Sequence, residues 1–216
     1  MPPQPEGPVH VHGVQEEYLY LMVHPCGCGG PWQSGAQQVD EPGPQILHRV
    51  AARCFRCGAE RVFDFLLDAP PGAAGPIRQV NPTGEASRAI DLAEWMGLAR
   101  FYLGRIARLG EAVEKAQSLL DARQCLEEAL KFYGPGDDGP PPAALWSDAS
   151  RAQAAAQADA FRREAIEKML ARIPPMNRLR QADGPNQKKF EAQVRDAARA
   201  RTGRRWWEFW KRGRPS

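Results

Sequence analysis

Two pairs of closely spaced cysteines constrain this chain more than any other feature. Cys26-x-Cys28-Gly29 and Cys54-x-x-Cys57-Gly58 lie 25 residues apart, and each second cysteine is followed by glycine. A turn that wraps a metal ion needs positive φ and close backbone approach, which glycine supplies at no steric cost. Backbone amides in such a turn can donate to thiolate sulfur. Four thiolates complete a tetrahedral zinc site and leave no open position. In a reducing compartment such pairs point to metal rather than to disulfides. The N-terminal Met1-Pro2-Pro3-Gln4-Pro5-Glu6 has neither the basic nor the apolar stretch of a secretory signal, so a cytoplasmic setting is expected. Two alternatives stay open. His24 or His48 could replace a cysteine as ligand, and Cys54-x-x-Cys57 could be a redox dithiol. A redox motif of that kind opens a helix within a βαβ pattern, whereas a strand is expected after Cys57. Cys125 sits among Leu120, Leu126 and Leu130 and reads as a small buried hydrophobe.

Punctuation divides the rest of the chain. Glycine and proline number 20 each in 216 residues, and they cluster, which argues against a single large α/β enzyme core. Residues 1–13 are Pro- and Gly-rich and are expected to be disordered. Residues 14–23, rich in aromatic and branched side chains, read as a strand. Residues 31–45 read as a polar loop, 46–54 as a second strand, and 61–67, where Val62, Asp64 and Leu66 alternate with Phe63, Phe65 and Leu67, as a third. The Pro/Gly stretch 69–84 reads as a linker. From about Glu85 the period becomes helical, with Ala89, Leu92, Met96, Ala99, Leu103 and Ile106 at steps of three and four. Gly110 is expected to end that helix. A second helix carries Ala112, Ala116, Leu119, Leu126 and Leu130 up to Tyr133 and stops at Gly134-Pro135-Gly136. Trp95, Phe101, Tyr102, Phe132 and Tyr133 are expected in the core of the resulting hairpin. A third helix is capped at Ser147 or Asp148 and runs to Pro174-Pro175. Residues 186–202 are weakly helical.

With its four cysteines and the strands expected around them, segment 18–67 resembles the zinc-ribbon class of modules, Cys26, Cys28, Cys54 and Cys57 standing as the ligands. The first turn is Cys-x-Cys rather than Cys-x-x-Cys, and the gap is slightly longer than the usual run of roughly 15–20 residues. The resemblance implies a small β module over 14–68 holding one structural zinc ion, and no substrate. The fold class expected is α+β: a β zinc ribbon, a linker at 69–84, a separate α-helical domain over 85–173, and a basic arm over 174–216.

Charge is unevenly distributed. Residues 1–150 hold 12 Lys/Arg and 19 Asp/Glu, a net of −7, and residues 151–216 hold 17 and 7, a net of +10. A basic tail on an acidic body suits an anionic partner, or docks on that body or on a second copy. The tail ends in Arg204, Arg205, Trp206, Trp207, Phe209, Trp210, Lys211 and Arg212. Aromatic side chains at such density are costly unless something covers them. A protein groove, nucleic acid through phosphate contacts and base stacking, and an anionic membrane surface all fit. No apolar run reaches the ~20 residues of a membrane span. No phosphate-binding glycine loop, HExxH, nucleophile elbow or kinase set is present. Asp91, Glu94, Asp121, Glu127 and Glu128 have no histidine partners in the pattern and are expected to be solvated or paired with Arg and Lys. The function expected is therefore non-enzymatic, an interaction adaptor or assembly factor with a protein partner and no small-molecule substrate. Nucleic-acid binding is the alternative, and membrane-surface association through the tail a second.

Overall fold

Strict alternation in two segments sets the centre of the protein. In the computed structural model, which describes residues 7–40, 45–67, 80–175 and 177–179, Ile46–Cys54 (β3) and Glu60–Leu67 (β4) form an antiparallel hairpin. Ile46, His48, Val50, Ala52 and Cys54 face inward with Phe63, Phe65 and Leu67, as the period of two requires. Both strands match the sequence expectation closely.

Three segments differ from it. Residues 14–23 form a helix, Val14–Val23 (α1), not a strand. Its branched and aromatic residues favour extended chain locally, but the entry geometry decides otherwise. Gly13 caps it in extended conformation, the Glu16 carboxylate accepts from the His12 N–H at 2.6 Å, and Glu16 and Glu17 fill the first turn, where the helix dipole favours negative charge. Residues 32–40, expected as a loop, form the edge strand β2 (Trp32–Asp40). It is exposed over most of its length and lacks any hydrophobic alternation, so what makes it a strand is the open edge of β3. The pairing runs from Trp32 opposite Cys54 to Asp40 opposite Leu47, with a bulge between Ser34 and Gln37. Within the segment expected to be disordered, Val9–Val11 (β1) pairs in parallel with β4, Val9 opposite Phe65. The sheet order is β1-β4-β3-β2.

Helix α1 lies on the inner face of the sheet. Tyr20 meets Phe65 and Phe63 edge-on at 5.6 and 6.4 Å between ring centres. One turn away, the Glu17 carboxyl sits 2.7 and 2.8 Å from His48 Nδ1. Burial pushes Glu17 up from its ordinary 4.5 to about 8 and pushes His48 down from 6.5, so the pair holds a single shared proton. The unfolded pair also holds one between pH 4.5 and 6.5. Above 6.5 the unfolded histidine loses its proton, while the folded pair keeps its own until about pH 8. This pair therefore loses roughly 2 kcal/mol of stabilisation over that window, at ~1.4 kcal/mol per pH unit. Glu17→Gln is expected to remove that slope. Urea midpoints taken from pH 6 to 8.5 check it, and a slope identical to wild type contradicts it.

The helical portion begins later than its periodicity suggests. Residues 85–91 are irregular, and Leu92–Arg105 (α2) starts with a reciprocal cap. Glu94 N–H donates to Asp91 Oδ1 and Asp91 N–H to Glu94 Oε2, both at 2.9 Å. Helix α2 ends at Arg105 rather than at Gly110, and one tight turn, Ile106–Arg108, follows. Ala112–Leu130 (α3) completes the hairpin as expected. Trp95, Tyr102 and Tyr133 are buried, but Phe101 points to solvent. The expected third helix starts at its Ser147 cap and is broken in two, Asp148–Ala156 (α4) and Arg163–Ala171 (α5). The intervening Phe161 is fully buried and its carbonyl accepts from the Tyr133 hydroxyl at 2.5 Å, while Arg163 N–H is taken by the Asp138 carbonyl at 3.0 Å. Both bonds draw the backbone off a continuous helical path.

The buried side chains of sheet and helices belong to one cluster that includes Val11, Phe65, Trp95, Leu126 and Ile166. Polar bridges reinforce it. Glu128 on α3 accepts from Asn81 at 3.0 Å and from Lys131 at 2.8 Å, and His12 Nε2 lies 3.2 Å from the Ala86 carbonyl. Most of the expected linker, 69–79, lies outside the described residues, as does the arm from residue 180 onward, including the weakly helical stretch 186–202 and the aromatic cluster 204–212.

Candidate metal centre

The two cysteine turns meet at one end of the sheet. Cys26 and Cys28 lie between α1 and β2, Cys54 ends β3, and Cys57 lies on the turn between β3 and β4. Cys26 Sγ is 3.7 Å from Cys57 Sγ, Cys28 Sγ is 3.5 Å from Cys54 Sγ, and all four sulfurs lie within 4.8 Å of one another. A tetrahedron with metal–sulfur bonds of about 2.3 Å has edges of about 3.8 Å, so the four thiols could hold one metal ion. All five cysteines of the chain are free of disulfides, and Cys125 is buried as expected, its thiol pushed well up by desolvation.

Each turn is built by its backbone. Gly29 N–H donates to the Cys26 carbonyl at 2.6 Å and Cys26 N–H to the Gly30 carbonyl at 3.0 Å. On the other side Gly58 N–H donates to the Cys54 carbonyl at 3.0 Å and Cys54 N–H to the Ala59 carbonyl at 2.8 Å. Gly29 and Gly58 have φ of +77° and +73°, the left-handed conformation that the two Cys-Gly steps predict. Phe55 N–H reaches across to the Pro31 carbonyl at 3.0 Å and Arg56 Nη1 to the Cys28 carbonyl at 2.9 Å, tying the turns together.

Backbone donors also set the charge of the sulfurs. The amides of Cys57 and Arg56 point at Cys54 and bring its thiol down from 9.0 to about 6. The Gly30 amide acts on Cys28 in the same direction, but the neighbouring Cys57 and Cys54 thiols and burial outweigh it and the net shift is upward. A thiolate is the ligating form, and these amides favour it at Cys54.

Neither histidine joins the cluster. His24 places Nδ1 3.0 Å from the Tyr20 carbonyl and Nε2 3.2 Å from Glu94 Oε1, and its ring stacks on Tyr20 at 4.1 Å. His48 is occupied by Glu17. Among the described residues, the group that could hold a metal is the four cysteines. The Glu94–His24 pair was not legible in the sequence, where these carboxylates had no histidine partner. It connects the cap of α2 to the residue two positions before Cys26. Burial pushes Glu94 up to about 7. Asp91 is likewise engaged as a cap, and Glu127 pairs with Arg123 at 2.9 Å as expected for helical spacing.

One exposed residue at the centre escaped the sequence reading. Phe55, between the two cysteines of the second turn, is 80% exposed. The signal for it is present in Cys54-Phe55-Arg56-Cys57: with both cysteine sulfurs turned toward the cluster, the side chain at the second position is left facing outward. Arg53 and Arg56 are exposed beside it.

No helix among the described residues is long and apolar enough to cross a membrane. No family model, curated protein or solved structure matches the chain.

Proposed function

We propose that the four cysteines bind one structural Zn2+ and that the protein is a non-enzymatic adaptor whose metal turn presents Phe55 to a protein partner. The observation that carries this reading is the 80% exposure of Phe55 on a turn fixed at both ends by ligand cysteines. A large apolar side chain held rigidly in water loses little entropy on binding and gains its full burial there. A four-thiolate site has no open coordination position for a substrate, which favours a scaffold over a catalyst. The spacing of Cys26, Cys28, Cys54 and Cys57, on which the zinc-ribbon resemblance rests, supports the same reading, while the helix at Val14–Val23 replaces the strand that the resemblance implied before the first turn.

The test is capture from cell extract with a photo-reactive residue placed next to the turn, comparing wild type with Phe55→Ala. The variant is expected to lose partner capture about ten-fold or more, the scale of an interface hot spot, with metal content and melting temperature unchanged. Capture should vary little with salt and survive nuclease treatment. Capture that Phe55→Ala leaves intact refutes the role given to Phe55. Loss of capture with nuclease, or a steep fall with rising salt, points instead to nucleic acid contacted through Arg53 and Arg56.

A further inference from the structure

Helix α1 leaves an apolar stripe partly exposed beside β2 and α2, where the Tyr18 hydroxyl accepts from Gln37 Nε2 at 2.8 Å and the Tyr102 hydroxyl meets Met22 Sδ at 3.8 Å. Val14, Tyr18 and Met22 stand one turn apart and are 43%, 38% and 47% exposed. Tyr18 and Met22 also form one wall of a cleft of about 300 Å³ between α1 and the α2–α3 hairpin, with Val80 and Tyr102 continuing the apolar lining and Gln117 and Asp121 of α3 on the opposite side. The cleft and the stripe are continuous through Tyr18 and Met22. A surface of this kind is costly in a monomer unless something covers it.

The chain contains a segment of matching chemistry. Trp206, Trp207, Phe209 and Trp210 fall within five residues, flanked by Arg204, Arg205, Lys211 and Arg212. The charges are complementary, −7 over residues 1–150 against +10 over 151–216. The exit of the chain is also favourable. Leu179 is buried, and Arg123 of α3 donates to the Ile173 carbonyl at 3.3 Å and to the Pro174 carbonyl at 3.5 Å. The C-terminal chain thus departs from α3, the helix whose Gln117 and Asp121 line the cleft. The 27 steps from Leu179 to Trp206 span up to about 90 Å when extended, several times the roughly 10 Å width of a helix.

We propose that the segment Trp206–Trp210 docks in cis in the cleft between α1 and α3. An indole packs against Tyr18, Met22 and Tyr102, with its polar edge toward the wall formed by Gln117 and Asp121, which are joined by a bond from Gln117 Nε2 to Asp121 Oδ1 at 2.6 Å. The flanking cations lie toward the acidic body. Any partner of the tail must then compete with the protein's own cleft. This surface is separate from the metal turn and does not depend on the role given to Phe55.

The test uses the full chain with a benzophenone amino acid at position 207, irradiated at low micromolar concentration. Docking in cis predicts a monomer-sized product with links to residues 15–22 or 117–125, and the same map when the probe is moved to position 210. Met22→Glu, at an exposed position, is expected to cut the yield about ten-fold, a loss of roughly 1.4 kcal/mol, with an unchanged far-UV spectrum. A dimer-sized product, a nucleic-acid adduct, links confined to other surfaces, no link, or a yield that Met22→Glu does not change would each overturn the proposal.

Discussion

Chelation at neutral pH is expected to release one zinc ion per chain and to open four thiols to a chromogenic thiol reagent, while Cys125, buried in the helical hairpin, reacts only on global unfolding. Structural zinc contributes on the order of 10 kcal/mol of apparent binding energy, and a whole domain is stable by about 5–15 kcal/mol. Loss of the ion is therefore comparable to the entire stability of the fold. The sheet should fail first, because the site joins β2 to the β3–β4 turn and the α1–β2 turn to both. Trp32 reports it directly. Its indole N–H donates to the His24 carbonyl at 2.9 Å and its ring lies 5.4 Å from Phe63. Cys54→Ser should mimic chelation. Purified protein without stoichiometric metal, or a melting temperature indifferent to chelator, would end the zinc reading.

Gly30→Ala is the second large effect, and it separates packing from backbone conformation. Gly30 is buried, and a methyl group there would stand 2.5 Å from Arg56 Cβ, 2.7 Å from Cys54 Sγ and 3.2 Å from Cys28 Sγ. Two of those atoms are ligand sulfurs and the third belongs to the turn between ligands, so relief requires moving the site itself. Metal affinity is expected to fall at least about 100-fold, the upper end for loss of groups that orient ligands. Gly29→Ala is the control. It meets nothing nearer than 3.9 Å but has φ of +77°, so it should cost only the roughly 1–2 kcal/mol of a left-handed non-glycine residue. Competition titration with a chromophoric chelator ranks the two. Equal effects would show that backbone conformation, not the close approach at position 30, governs the site.

The four-cysteine cluster was legible because it is written in consecutive residues: paired cysteines, each pair followed by a glycine that the turn requires. The β3–β4 hairpin was legible because one face is buried and the other solvated. The misreadings have a common cause, namely contacts made at long range. Glu16 and Glu17 look like surface residues, yet both are buried, one accepting from the His12 backbone just ahead of its own helix and the other holding His48 across 31 positions. Residues 32–40 carry no pattern of their own and become a strand only because β3 offers an edge. Phe101 has the helical spacing of a core residue but falls on the outward side of α2. The break between α4 and α5 depends on a tyrosine hydroxyl 28 positions away, and nothing local encodes it.

The parallel pairing of β1 with β4 also orders events during synthesis. Val9 meets Phe65 across 56 positions, so the N-terminal strand has no partner until β4 has left the ribosome. All four cysteines have emerged by residue 57, before β4 begins at Glu60 and well before α2. Ion capture can thus close the 26–57 loop first. The entropy of that closure is then already spent when β4 and later β1 add to the sheet. In stop-flow refolding, preloading the denatured chain with zinc is expected to accelerate sheet formation, whereas adding the ion after refolding has begun should leave a slow phase. The order of metal and chain, and not the final contacts alone, would then set how quickly the protein becomes usable.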